Sequence, residues 1–136
     1  MNYKKKISCI ISFGELLDKI SILEIKKKKI YNREKKKIIN IELQSLNLIK
    51  KKNKIFSNLF IKKKFLELKK INKKLWIVED ELREFERRKI FGNKFIKLAR
   101  SVYFNNDLRS KIKNEINLFL GSSIREVKSY KKYVIS

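Results

Sequence analysis

Between Leu68 and Phe85 the apolar residues Leu68, Ile71, Leu75, Val78, Leu82 and Phe85 are spaced 3, 4, 3, 4 and 3. An α-helix turns once in 3.6 residues, so this series lies on one face and forms a heptad seam that another helix must cover. A neighbour in an antiparallel hairpin can cover it, and so can a second copy of the chain in a homodimer through residues 68–85. The spacing serves both.

Weaker helical patterns flank the seam. Ser12-Phe13-Gly14-Glu15 reads as a capping box, and Leu16, Ile20, Leu23 and Ile30 then mark a helix running to about Tyr31. Residues 33–52 predict a second helix with Ile38, Ile41, Leu46 and Ile49 inward, followed by a connection through Lys50–Lys54 and Phe56-Ser57-Asn58. Gly92 is expected to close the seam helix in a left-handed cap. Two short helices are expected next. One covers 94–105 with Phe95, Ala99 and Val102 inward. The other covers 108–120 with Ile112, Ile116 and Phe119 inward, Asp107 as N-cap and Gly121 as stop. Ser123-Ile124-Arg125-Glu126 repeats the capping-box pattern and predicts a terminal turn, while Ile7–Ile11 predicts a short N-terminal strand or extended arm.

The sum is an all-α, single-domain helical bundle over residues 1–136, with a long hairpin and short C-terminal helices. Hydrophobic residues make up 43% of the chain and aromatics 11%, enough to fill a core despite a net charge of +23. The apolar run after Lys4–Lys6 spans only Ile7–Phe13 and has no small-residue cleavage site, so it does not read as a signal peptide. No stretch reaches the 18 or so apolar residues of a membrane span. Cys9 is the single cysteine, which suits a reducing cytoplasm.

The charge points to an anionic small molecule or a polyanion, nucleic acid included. Residues 1–74 carry 23 Lys/Arg against 6 acids, and residues 75–136 carry 14 against 8. The lysine runs 26–29, 35–37, 50–52 and 62–64 step around their helices by about 100° per residue, coating them rather than forming one stripe. Lysine outnumbers arginine 30 to 7, alanine occurs once and proline never, a composition that codon bias in an AT-rich genome also produces. In such a chain a retained arginine marks a position where a planar, bidentate donor is needed.

Two clusters hold three of the seven arginines. In the first, Trp76, Glu79, Arg83 and Glu86 recur at 3, 4 and 3 beside the seam, with Glu79 and Arg83 set to pair. In the second, Arg100, Tyr103, Asn106, Asp107 and Arg109 gather at an expected helix start, where free amides favour anions. A packed helix flank and a structural salt-bridge network explain the same residues. No histidine is present, and the three glycines are far apart, so no Ser-His-Asp triad, histidine metal site or glycine-rich phosphate loop can form, and no cofactor is expected. Glu15 with Asp18, and Glu81 with Glu84, match the acidic pairs of helical magnesium-dependent nucleotide pyrophosphohydrolases. That leaves an enzyme acting on a phosphorylated metabolite as an alternative.

Residues 14–20 (GELLDKI) through Glu24-Ile25-Lys26, 75–80 (LWIVED) with Arg83 and Glu86, 95–103 (FIKLARSVY) with Asn106, Asp107 and Arg109, and Gly121-Ser122 through 126–130 (EVKSY) carry a resemblance. Together they resemble a bacterial family of small all-helical proteins known only as a domain of unknown function, of the marine proteobacterial type. The resemblance covers most of the chain outside the lysine-rich region 27–70. It implies an all-helical bacterial protein associated with cell-surface polysaccharide genes, whose polar motif residues fall in the two clusters above and not in the lysine runs. The combined expectation is a phosphate- or carboxylate-bearing ligand, such as a nucleotide sugar, held by Arg83, Arg100 and Arg109 with Trp76 and Tyr103.

Overall fold

The computed structural model describes residues 5–135, apart from the Phe56 side chain; Lys4 of the N-terminal basic run lies outside the described residues. Four helices make the fold: α1 (Phe13–Lys29), α2 (Arg33–Lys52), α3 (Leu59–Arg88) and α4 (Asn93–Leu120), with a single 3-10 turn at Ile55–Ser57. No strand occurs among the described residues, and Ile7 and Ile10 lie in an exposed, non-regular arm.

Side chains set the helix starts. Ser12 Oγ accepts from the Glu15 amide at 3.0 Å, Asn32 Oδ1 from Lys35 at 2.9 Å and Asn58 Oδ1 from Phe60 at 2.7 Å, each satisfying an amide that has no intrahelical partner. At Ser12 only half of the expected box forms, because the Glu15 carboxylate turns to α4 instead of back to its own cap.

The core lies where α1 meets the other three helices. Leu17, Ile20, Ile61, Leu68 and Ile116 are almost fully buried there, each contributing roughly 1.5–3 kcal/mol of burial free energy. The heptad seam is covered within the chain. Leu68, Leu75 and Val78 are buried, and Leu82 and Phe85 are half-buried as α3 runs towards its turn with α4. Phe95 packs edge-on against Phe85 and Phe91 at that turn, and Phe60 stacks on Phe119 at the other end with centroids 4.6 Å apart.

Several expectations are corrected. In α2 it is Ile39 and Leu43 that are buried, while Ile38, Ile41 and Ile49 are exposed. One face of α2 meets α1, and the sequence offers aliphatic residues on both faces. The left-handed cap of α3 is Lys89 (φ 56°), not Gly92, whose φ of −79° belongs to the extended residue preceding α4. The Lys89 amide bonds to the Glu86 carbonyl and that of Ile90 to Phe85, a Schellman closure that ends the helix without glycine.

The two short helices are one. Asn105 bonds back to the Ser101 carbonyl at 2.7 Å, so the polar stretch 105–107 stays helical and Asp107 caps nothing. Gly121 ends α4 at φ +66° as expected. Beyond it residues 122–135 form no helix and run back along α4 as an arm, so the second capping box is unused.

Candidate functional site

A contact that only glycine permits builds the site. A Cβ on Gly14 would lie 2.5 Å from the Lys113 carbonyl oxygen and 2.9 Å from Asn117 Oδ1, so any other residue would push α1 off α4. Instead the Gly14 amide donates to Asn117 Oδ1 at 2.7 Å. This approach sets Glu15 and Asp18, one turn of α1, against Lys113 and Arg109, one turn of α4.

Asp18 is at the centre, with its side chain 1% exposed. Arg109 grips it side-on, Nε to Oδ1 at 2.9 Å and a terminal nitrogen to Oδ2 at 2.5 Å. From α3, Asn72 donates to the same Oδ1 at 2.8 Å and to Ser21 Oγ at 2.7 Å, and Ser21 donates to the Asp18 carbonyl. The Asp18 hydrogen bond is the main reason Arg109 is held above the ordinary guanidinium value. Lys113, buried beside it, donates to Glu15 at 2.6 Å, contacts Glu126 of the arm and lies 3.8 Å from Asp18. Burial pulls its ammonium down, but the bonds to Glu126 and Glu15 and the charge of Asp18 outweigh that and raise it.

The arm is fastened alongside. Asn114 bonds to the Glu126 backbone at both its oxygen (2.8 Å) and its nitrogen (2.9 Å). Asp107 accepts from Lys128 at 2.7 Å and from the Tyr133 hydroxyl. Those two bonds hold the Asp107 carboxyl below its ordinary range, and Asp107 in turn pushes the Tyr133 phenol up to about 12.

Two hollows open on this network and share Arg109 and Asn106. One, a cleft of about 230 Å³, is lined by Asn106, Arg109, Ser110, Lys113, Glu126 and Lys128. It presents three cations and one carboxylate, since Asp18 and Glu15 sit behind Arg109 and Lys113. The other, a crevice of about 150 Å³, has Trp76, Ile22, Ile25 and Leu75 among its walls, with Glu79 at the edge.

Trp76, Glu79, Asn106 and Arg109 are therefore brought together. The rest of the expected set is dispersed. Arg100 and Tyr103 line a separate hollow of about 190 Å³, where the arm's Tyr133 meets Tyr103 edge-on. Arg83 stands in solvent, 3.7 Å from Glu79 and 3.4 Å from Asp80, and Glu86 pairs with Lys89. The three arginines share no cavity, because the uninterrupted α4 carries Arg100 more than two turns from Arg109.

The sequence reading missed Asn72, Lys113, Asn117, Glu126 and Lys128. Glu15 and Asp18 were singled out, but as a metal-binding pair; their carboxylates are instead neutralised by Lys113 and Arg109. Among the described residues no three acidic or cysteine side chains converge to hold a metal ion. Comparison with protein-family models, curated proteins and solved structures finds no match.

Proposed function

We propose that the protein binds a phosphate- or carboxylate-bearing metabolite in the cleft between α4 and the C-terminal arm, with the remainder of the ligand resting on Trp76. One observation carries this reading. Arg109, Lys113 and Lys128 all line one cleft, which shares Arg109 and Asn106 with the neighbouring crevice of Trp76.

Buried ion networks add little to stability relative to apolar packing, so a fold that builds one around a cleft is better explained by a ligand. Glu126 shows the chemistry the cleft accepts, since its carboxylate already rests on Lys113. A ligand anion takes that position, and the Arg109 terminal nitrogen that donates to Asn106 at 3.3 Å carries a second N–H for it. The indole then offers a flat apolar surface to a ring. With the association implied by the family resemblance, a nucleotide sugar is the first candidate.

Trp76 is the only tryptophan, so its fluorescence reports on the crevice directly. Titration with a uridine-diphosphate sugar, uridine diphosphate and inorganic phosphate should change its emission saturably. Lys128→Gln should weaken binding about tenfold, as expected for one charge-assisted contact. Arg83→Ala should leave it unchanged. No emission change with any of the three, or equal binding by Lys128→Gln, would discard the proposal.

A further inference from the structure

The inward face of α2 is covered chiefly by α1 and the 3-10 turn. Its outward face carries an aliphatic stripe among polar residues, with Ser45 and Glu34 on the same arc and Glu42 beside it. Ile38 and Ile41 are each 60% exposed, Leu48 69% and Ile49 45%, and at 100° per residue these four side chains fall within an arc of about 100°. Cations stand at both ends: Arg33, Lys35 and Lys37 in the first turns, Lys51 and Lys52 in the last, all exposed. Tyr31, 87% exposed, projects from the loop just before them. The helix is therefore amphipathic twice over, with one apolar stripe facing the core and a second facing outward between two basic ends.

We propose that this outer face of α2 is a docking surface for an anionic lipid bilayer. Charge chooses the occupant. A second copy of a chain with net charge +23 would set like charge against like across the same stripe. Nucleic acid would neutralise the lysines and leave four aliphatic side chains in water. A bilayer bearing acidic headgroups satisfies both features, with the aliphatic stripe at the acyl boundary and the lysines among the phosphates. No helix of the described residues is long and apolar enough to cross a membrane, so the contact lies on the surface. This surface is separate from the α4 cleft, and its test does not depend on a ligand there.

The experiment is sedimentation of the full chain with phosphatidylcholine vesicles, with and without about 30% phosphatidylglycerol, at roughly 0.1 M salt. Binding is expected to the anionic vesicles and not to the neutral ones. Ile41→Ser with Leu48→Ser should weaken it at least about tenfold while the unfolding midpoint holds, because both side chains point away from the core. Lys51→Gln and Lys52→Gln should each cost about fivefold. Equal binding to both vesicle types, or unchanged binding by the serine double variant, would overturn the proposal. So would retention of a DNA duplex by a chain that leaves anionic vesicles in solution, or a dimer in light scattering that the serine variant abolishes.

Discussion

The turn and the middle of the α3–α4 hairpin use the same ingredients differently. Near the turn, Glu79, Asp80 and Arg83, then Glu84 with Arg87 and Glu86 with Lys89, pair along one helix in solvent. Midway along it, where α1 packs across the hairpin, Asp18 and Arg109 pair across 91 positions of sequence, with the carboxylate out of water and the guanidinium 27% exposed. Surface pairs of the first kind contribute about 0–1 kcal/mol, because water solvates the separated partners almost as well. A pair of the second kind is costly to break, since removing Arg109 leaves Asp18 charged and out of water, although the intact pair adds little over apolar packing. Position in the fold, not pairing as such, decides what breaking a salt bridge costs.

The comparison is most easily broken at Asp18. Asp18→Ala leaves Arg109 facing an empty site with Asn72 and should lower the free energy of unfolding by about 3–5 kcal/mol, measured by urea denaturation followed by circular dichroism. A loss below about 1 kcal/mol would show the two regions to be equivalent.

A smaller effect sharpens the picture at the arm, which joins the buried cluster through Glu126 and reaches solvent through Asp107. The depressed Asp107 carboxyl supports docking fully above its ordinary value of about 4, and that support is lost as pH falls through its lower folded value. The raised Tyr133 phenol supports docking fully below its ordinary value of about 10, and that support fades as pH climbs to about 12. Amide NMR signals of residues 126–135 should therefore hold their docked positions between roughly pH 4 and 10 and move outside that window. Asp107→Asn should flatten the acid side. An arm indifferent to pH, or an unaltered acid side in Asp107→Asn, would separate it from the charge network.

The smallest effect is expected at the turn. Arg83, with its side chain 72% exposed, should tolerate Arg83→Ala within about 0.5 kcal/mol in the same denaturation assay. A loss above 1 kcal/mol would mean that the exposed pairs act as a network.

This contrast also explains what the sequence disclosed. The all-helical fold was legible, because heptad spacing, the cap at Ser12 and the stop at Gly121 act within a few residues. The Glu79–Arg83 pair was legible for the same reason, and it is among the weakest contacts. Asp18–Arg109 and Gly14–Asn117 join positions about a hundred residues apart, and no local pattern encodes them. The inward face of α2 was misread because both faces are aliphatic. The break expected at 105–107 failed because Asp107 accepts from Lys128 and Tyr133 of the arm rather than from an amide at a new start, while Asn105 bonds back into the helix.

The Gly14–Asn117 contact also orders events during synthesis. Of the four helices α1 is synthesised before the others, yet the groups that close over its opening turn arrive at positions 109, 113 and 117. Until the final turns of the last helix emerge, Asp18 has no counter-charge, and Leu17 and Ile20 lack Ile116 from their cover. A nascent chain stalled before residue 109 would present α1 without this cover to chaperones and proteases.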